Sequence, residues 1–199
     1  MLAQTKPRTY TPEEYLALEE KSEIKHEYHN GEIVPMTGGT TNHNRIAINL
    51  VTSLNLALQG KKTSFFIGDV RLWIPAHRRY TYPDLQIICE DIAYHDNRKD
   101  TVTNPAVIVE VLSKSTRNYD RGDKFRLYRS LPTFQEYIII DQYRFEVEHY
   151  IKNDDNNWLI RYLESEDSVL SLVSVEFEIS LKDLYEDVRF DDEEREVED

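Results

Sequence analysis

Apolar residues recur along this chain at two periods, and the switches between them mark its elements. Ile46, Leu50, Leu54 and Leu58 fall at i, i+4, i+8 and i+12, with Ala47 and Val51 beside them. This spacing predicts a helix over 42–59 with one buried face, closed by Gly60. Near the start, Thr11-Pro12-Glu13-Glu14 combines an N-cap, a proline at the first helical position and a capping-box glutamate. A short helix should run from there to about residue 21. In HEYHNGEIVPM the pair Asn30-Gly31 stands between two extended pieces, the signature of a type I′ hairpin turn. Residues 118–130 predict another helix, with Phe125, Tyr128 and Leu131 on one face, ending before Pro132.

Period two, or unbroken apolar runs, governs the rest. SFFIGDVRLWIP, DLQIICE, AVIVEVLS, FQEYIIID, RFEVEHYIK and WLIRYLE read as strands, as does 169–179, with a turn of helix over 181–185. AVIVEVLS and FQEYIIID are apolar on both faces, so their sheet needs a helical layer on each side. The expectation is α/β: one domain over 1–185 with a central mixed β-sheet flanked by helices on both faces.

Composition adds limits. Hydrophobic residues make up 40% of the 199, and Gly and Pro are sparse, which marks a globular body. From Asp183 onward there are ten Asp/Glu and two Lys/Arg, a net of −8 out of the chain's −13, which leaves −5 for the rest. The segment 186–199 therefore reads as a solvated, disordered acidic tail. Such a net charge does not steer the protein onto a polyanion. The single cysteine, Cys89, allows neither an internal disulfide nor a thiolate zinc site and reads as a core residue. None of the six histidines shows metal-binding spacing. MLAQTKPRTY lacks a signal-peptide apolar block and no run reaches membrane-span length, so a cytoplasmic protein with no membrane partner is expected.

Candidate chemistry begins at Glu110, a lone carboxylate inside VIVEVLS. Burying an ionised carboxylate costs several kcal/mol, of order 3–5, unless a cation, metal or hydrogen bonds replace its water. Asp84, after Pro83 at the start of DLQIICE, lies on the neighbouring apolar strand. Two converging carboxylates repel, and a divalent cation between them is the simplest remedy. Magnesium suits such a site, since it keeps several waters and takes only one or two carboxylates.

Pro83-Asp84 and Glu110-Val111-Leu112 resemble the PD-(D/E)XK nuclease superfamily, in which Asp and Glu on adjacent strands bind metal and a Lys two positions after the Glu completes the site. Here that position is Leu112. The phrases VIVEVLSKSTRNYDRGDKFRLYRSLPTFQEYIIID and KHEYHNGEIVPMTGGTTNH are similar to one branch of it, the bacterial putative restriction endonuclease family, over roughly 11–184. In that branch the lysine has migrated to the following helix, and the matching residue is Lys124. The resemblance implies a restriction-endonuclease-like core and Mg2+ (or Mn2+) held by Asp84, Glu110 and a main-chain carbonyl of Val111. It also implies Lys124 positioning water, Glu27 as a supporting acid, His43 as a further candidate, DNA as substrate and a homodimer.

Plainer readings stand beside these. Glu110 pairs with Arg71 or Lys124 in a structural ion pair; Asp84 is a turn acid; Lys124 makes an i, i+4 pair with Asp120 on the solvent face. Asp69 reads as a bulge residue rather than a metal ligand. The expected function is a metal-dependent endonuclease. The alternatives are a catalytically inactive binding or assembly module, and a nuclease acting on RNA or a small phosphodiester.

Overall fold

A computed structural model describes residues 8–190 apart from Thr37 and Ser115. The expected tail lies largely outside these residues, from 191 on. Val188 and Phe190, past the expected boundary, pack against the main core.

Helix α1 (Pro12–Glu19) starts where its capping box predicts: Thr11 accepts from the Glu14 N–H and Glu14 reaches back to the Thr11 N–H. Strands β1 (His26–His29) and β2 (Glu32–Pro35) form the hairpin, with Asn30 and Gly31 both at positive φ. Helix α2 (Thr41–Ala57), capped by Thr40, buries Ile46, Leu50 and Leu54.

Further strands and short helices carry the domain onward. SFFIGDVRLWIP is not one strand but β3 (Ser64–Ile67) and β4 (Arg71–Ile74), in different sheets, divided by a turn at Gly68-Asp69. Asp69 is thus a turn residue, exposed and paired with Lys25 rather than bulged. Then come β5 (Arg79–Thr81), β6 (Leu85–Ile88), β7 (Thr101–Val102) and β8 (Val107–Leu112). The predicted helix over 118–130 is α3 (Arg117–Tyr119), a π-helical turn (Asp120–Lys124) and α4 (Phe125–Tyr128) in succession. Strands β9 (Glu136–Asp141), β10 (Val147–Lys152) and β11 (Trp158–Leu163) follow.

Residues 169–179 form no single strand. They fold as a hairpin, β12 (Val169–Ser171) and β13 (Glu178–Ser180), before α5 (Leu181–Leu184). The cause is Glu136, whose buried carboxylate draws in the N–H groups of Val173 (3.0 Å) and Ser174 (2.5 Å) and pairs with His149 (2.6 Å). Amides directed at one carboxylate cannot continue a ladder, so the chain reverses there.

The main sheet is mixed, six strands in the order β11-β10-β9-β8-β6-β3, with β8 and β9 parallel. On one face α2 and α5 cover Val107, Val109, Val111, Ile138 and Ile140. On the other, α4 packs with Ile108, Leu112, Tyr137 and Ile139. A second, five-stranded sheet, β2-β1-β5-β4-β7, packs beside α4 through Leu72 and Ile74 and carries α1 over Tyr28 and Tyr80. The mixed sheet with helices on both faces matches the expected class; the second sheet is additional.

Because α2 rests on the sheet through residues fully shielded from water, Leu54→Ala should cost about 2–5 kcal/mol through transfer and cavity terms. Urea unfolding should show a lower midpoint with an unchanged m-value; an unchanged midpoint would contradict this packing.

Candidate active site

The two-residue alternation of β8 decides where Glu110 goes. Val107, Val109 and Val111 face α2, so Ile108, Glu110 and Leu112 face α4. The antiparallel ladder of β6 and β8 ends at Leu85↔Val109. One more step of that register sets Asp84 against Glu110, but β6 begins only at Leu85. Asp84 instead turns its side chain inward, and Oδ2 accepts the Val111 N–H at 2.7 Å. A residue's C=O leaves a strand on the same side as its N–H, so the Val111 carbonyl also points to where β6 has ended.

Glu110 is 3% exposed and Lys124 9%. Lys124 Nζ lies 3.0 Å from Glu110 Oε1 and 3.0 Å from Asp120 Oδ1. Lys124 does make the i, i+4 pair with Asp120, but not on a solvent face, for Asp120 is only 2% exposed. The π-helical turn brings both inward; its extra residue shifts the helix face by one position, so Phe125 and Tyr128 downstream still reach the core. Tyr128 donates to Glu110 Oε1 at 2.6 Å, and Tyr137 donates to the Asp120 carbonyl at 2.9 Å.

Glu27 arrives from the second sheet. Its carboxylate takes a 2.6 Å contact from His29 Nε2 and a hydrogen bond from the Thr81 hydroxyl, and it acts on Lys124 through its charge. His43, in the first turn of α2, sets Nε2 3.1 Å from Asp84 Oδ1. Asp84, Glu110, Lys124, Glu27 and His43 therefore share one region, while Arg71 pairs elsewhere, with Asp100.

The electrostatics follow from burial. Desolvation pushes the Glu110 carboxyl above its ordinary value; Lys124 opposes this, while Asp84 and Asp120 add to it. Burial works against the Lys124 charge, but Glu110, Asp120 and Glu27 outweigh it and raise its pKa well above the ordinary value. Lys124 is thus a permanent cation, a donor and not a base. Burial would raise Glu27, yet His29, Lys124 and Thr81 hold it below the usual carboxylate range.

The donor set fits a divalent cation. Three acids, Glu110, Asp120 and Glu27, act on one lysine, and Asp120 Oδ1, buried, has no hydrogen-bond partner beyond its ion pair. Among the described residues no three His, Cys, Asp or Glu side chains form a ready-made metal cage. Magnesium does not need one; two carboxylates and several waters suffice. Asp84, with a quarter of its side chain exposed, is the solvent-facing member.

Asp120, Tyr128, His29 and Thr81 were not among the sequence candidates. The spacing Asp120, Lys124, Tyr128 was the available signal: polar groups at i, i+4 and i+8 within an otherwise core-forming helix.

Burial lowers the His43 pKa, but the hydrogen bond and charge of Asp84 more than compensate, and it stands above 6.5. A group raised on folding contributes stability that is fully present below its unfolded pKa and lost as pH rises through the folded value. In EDTA, His43→Gln should therefore lower the melting temperature more at about pH 5.5 than at about pH 8.5. Equal losses would mean that no such ion pair forms.

Comparisons with known proteins can be set against this geometry. Residues 12–182 match the family model Uma2, described as Putative restriction endonuclease. Two proteins of Synechocystis sp. (strain ATCC 27184 / PCC 6803 / Kazusa) are relatives. Uncharacterized protein sll1609 is 40% identical over 168 residues, covering 84% of this chain and 95% of that one. Uncharacterized protein slr1290 is 38% identical over 182 residues, covering 90% and 93%. The fold is similar to the crystal structure of a putative nuclease belonging to DUF820 from Anabaena variabilis ATCC 29413. The TM-score is 0.73 at 19% identity, covering 89% of this chain and 98% of that chain. At that identity the likeness speaks for the fold alone. No helix among the described residues is long and apolar enough to cross a membrane.

Proposed function

The chain belongs to the Uma2 family, and on that premise we propose that it is a divalent-metal-dependent endonuclease hydrolysing phosphodiester bonds in DNA. The observation that carries this reading is the Lys124 ammonium 3.0 Å from Glu110 Oε1, at the point where β6 ends and Asp84 turns onto the Val111 N–H.

Asp84 and Glu110, with the Val111 carbonyl, would hold Mg2+ or Mn2+. When bound, the ion supplies Lewis acidity toward the phosphoryl oxygen and lowers the pKa of water. Hydrolysis forms one P–O bond from a water oxygen and breaks another to the leaving sugar oxygen, while negative charge grows on the phosphoryl oxygens. Lys124 is placed to meet that charge and to orient the water with its N–H donors. Asp120 keeps the ammonium in place when Glu110 turns its oxygens elsewhere. Tyr128, its phenol held protonated by burial and by the Glu110 charge, fixes the Glu110 carboxyl. Glu27, ionised and tied to His29 and Thr81, balances Lys124 from the far side.

Two copies acting together would cut both strands of a duplex, so the reading includes a homodimer.

A plasmid-nicking assay in magnesium or manganese tests the site. Asp84→Asn should abolish metal-dependent cleavage, and Lys124→Ala should reduce it about 100–1,000-fold, the scale of one lost transition-state donor. Calorimetry should show magnesium still binding to Lys124→Ala, with circular dichroism confirming its fold. Wild-type rates in both variants would rule out the site. Magnesium binding without cleavage of any nucleic acid would favour a non-catalytic module instead.

A further inference from the structure

We propose that the cleft between the first turn of α2 and the turn joining β9 to β10 is a phosphate-binding subsite. It would hold a DNA backbone phosphate beside the one that is cut. The inference rests on the nuclease reading and adds a second place where substrate is gripped.

The cleft holds about 650 Å3, and Thr40, Asn42, Arg45, Gln142, Tyr143 and Arg189 line it. Neither the Arg45 nor the Arg189 guanidinium has an ion-pair partner among the described residues, whereas neighbouring arginines do. Arg117 is tied to Asp141 at 2.9 Å, Arg144 to Glu146 at 2.7 Å and Arg121 to Glu148 at 2.5 Å. One carboxylate, Asp187, also lines the cleft, against two guanidinium groups. Beyond the rim, Lys114 Nζ and the Arg117 guanidinium lie 5.5 and 5.9 Å from the centre of the Tyr143 ring. Paired guanidinium forks in a polar cleft match the tetrahedral oxygens of a phosphodiester better than any neutral ligand.

The position matters as much as the charge. Gln142 is 1% exposed and spans from the Thr40 hydroxyl to the Leu112 carbonyl, which its Nε2 meets at 2.5 Å. Leu112 is two residues past Glu110, about 7 Å along an extended strand. The opposite wall runs from Thr40 to Arg45, the turn that also carries His43, the partner of Asp84. Asn42 pins the Arg189 segment by donating to its carbonyl at 2.8 Å. Gln142 and the first turn of α2 thus join the cleft to the strand that carries Glu110 and to the partner of Asp84.

The test is fluorescence anisotropy with a fluorescein-labelled DNA duplex, calcium replacing magnesium, at salt from about 50 to 200 mM. Arg45→Ala and Arg189→Ala should each weaken binding several-fold across unrelated sequences and lower the salt slope by about one. Arg45→Lys should keep most of the slope. In magnesium, KM should rise while kcat at saturation stays within about twofold, since neither residue touches the scissile phosphate. Arg45 is exposed, so its variants should fold normally. If the Arg45→Ala/Arg189→Ala double variant binds DNA with wild-type affinity and slope while wild-type protein cleaves, the subsite is overturned and the nuclease reading stands. If wild-type protein fails to cleave but binds DNA in an Arg45-dependent way, the subsite stands and the nuclease reading falls.

Discussion

A lysine ammonium buried among carboxylates is the constraint around which this molecule is arranged. An isolated charge at such depth would be driven to neutrality. Lys124 stays charged because Glu110, Asp120 and Glu27 reach it from three different elements: strand β8, the π-helical turn and the second sheet. The three acids reach one ammonium only if the strands and helix meet with these side chains facing it. Replacing such a group with packed apolar residues would often stabilise a fold. Under the proposed function, retaining it serves the reaction at the expense of that stability, with Asp120 Oδ1 held by its ion pair to Lys124.

Two local departures from regularity create that arrangement. The first is the early end of the β6 ladder, which frees Asp84 from backbone pairing and gives its carboxylate the Val111 N–H. The second is the π-helical turn, which brings Asp120 and Lys124 inward while α4 still packs through Tyr128. Each costs regular hydrogen bonding, and each lies within reach of Glu110. Sheet and helix alone would give the same core with the acids and the lysine out of reach of one another.

Much of this was legible in the sequence because the signals are local. The capping box at Thr11, the Asn30-Gly31 turn and the four-residue leucine spacing of α2 each act within a few residues, and each is found where the pattern places it. Sheet membership was not legible. Nothing local distinguishes the partner of Ile67 from that of Leu72, and β5 and β7 are too short for a periodic signal. The same limit applies to 169–179, where a distant carboxylate, Glu136, reverses the chain. In the site, Glu110 announced itself by its apolar surroundings. Asp120 did not, because whether a helical acid is buried depends on a π-helical turn that composition does not reveal.

On the proposed reading an acidic chain would bind a polyanion, and its net charge opposes this less than it suggests. At physiological salt, exposed charges act over about 8 Å, so distant acids count for little at a given contact. What a phosphate would meet at the proposed cleft is the local set, two guanidinium groups against Asp187, although Arg189 itself lies within the acidic segment that begins at Asp183. That set is assembled from residues far apart in sequence: Arg45 from α2, Tyr143 from the β9–β10 turn and Arg189 beyond α5. With little long-range attraction to draw DNA from a distance, the proposed binding would discriminate through short-range contacts made after encounter. A fixed spacing between the proposed cleft and the candidate site would supply such a criterion, because only a strand whose neighbouring phosphates match it could occupy both.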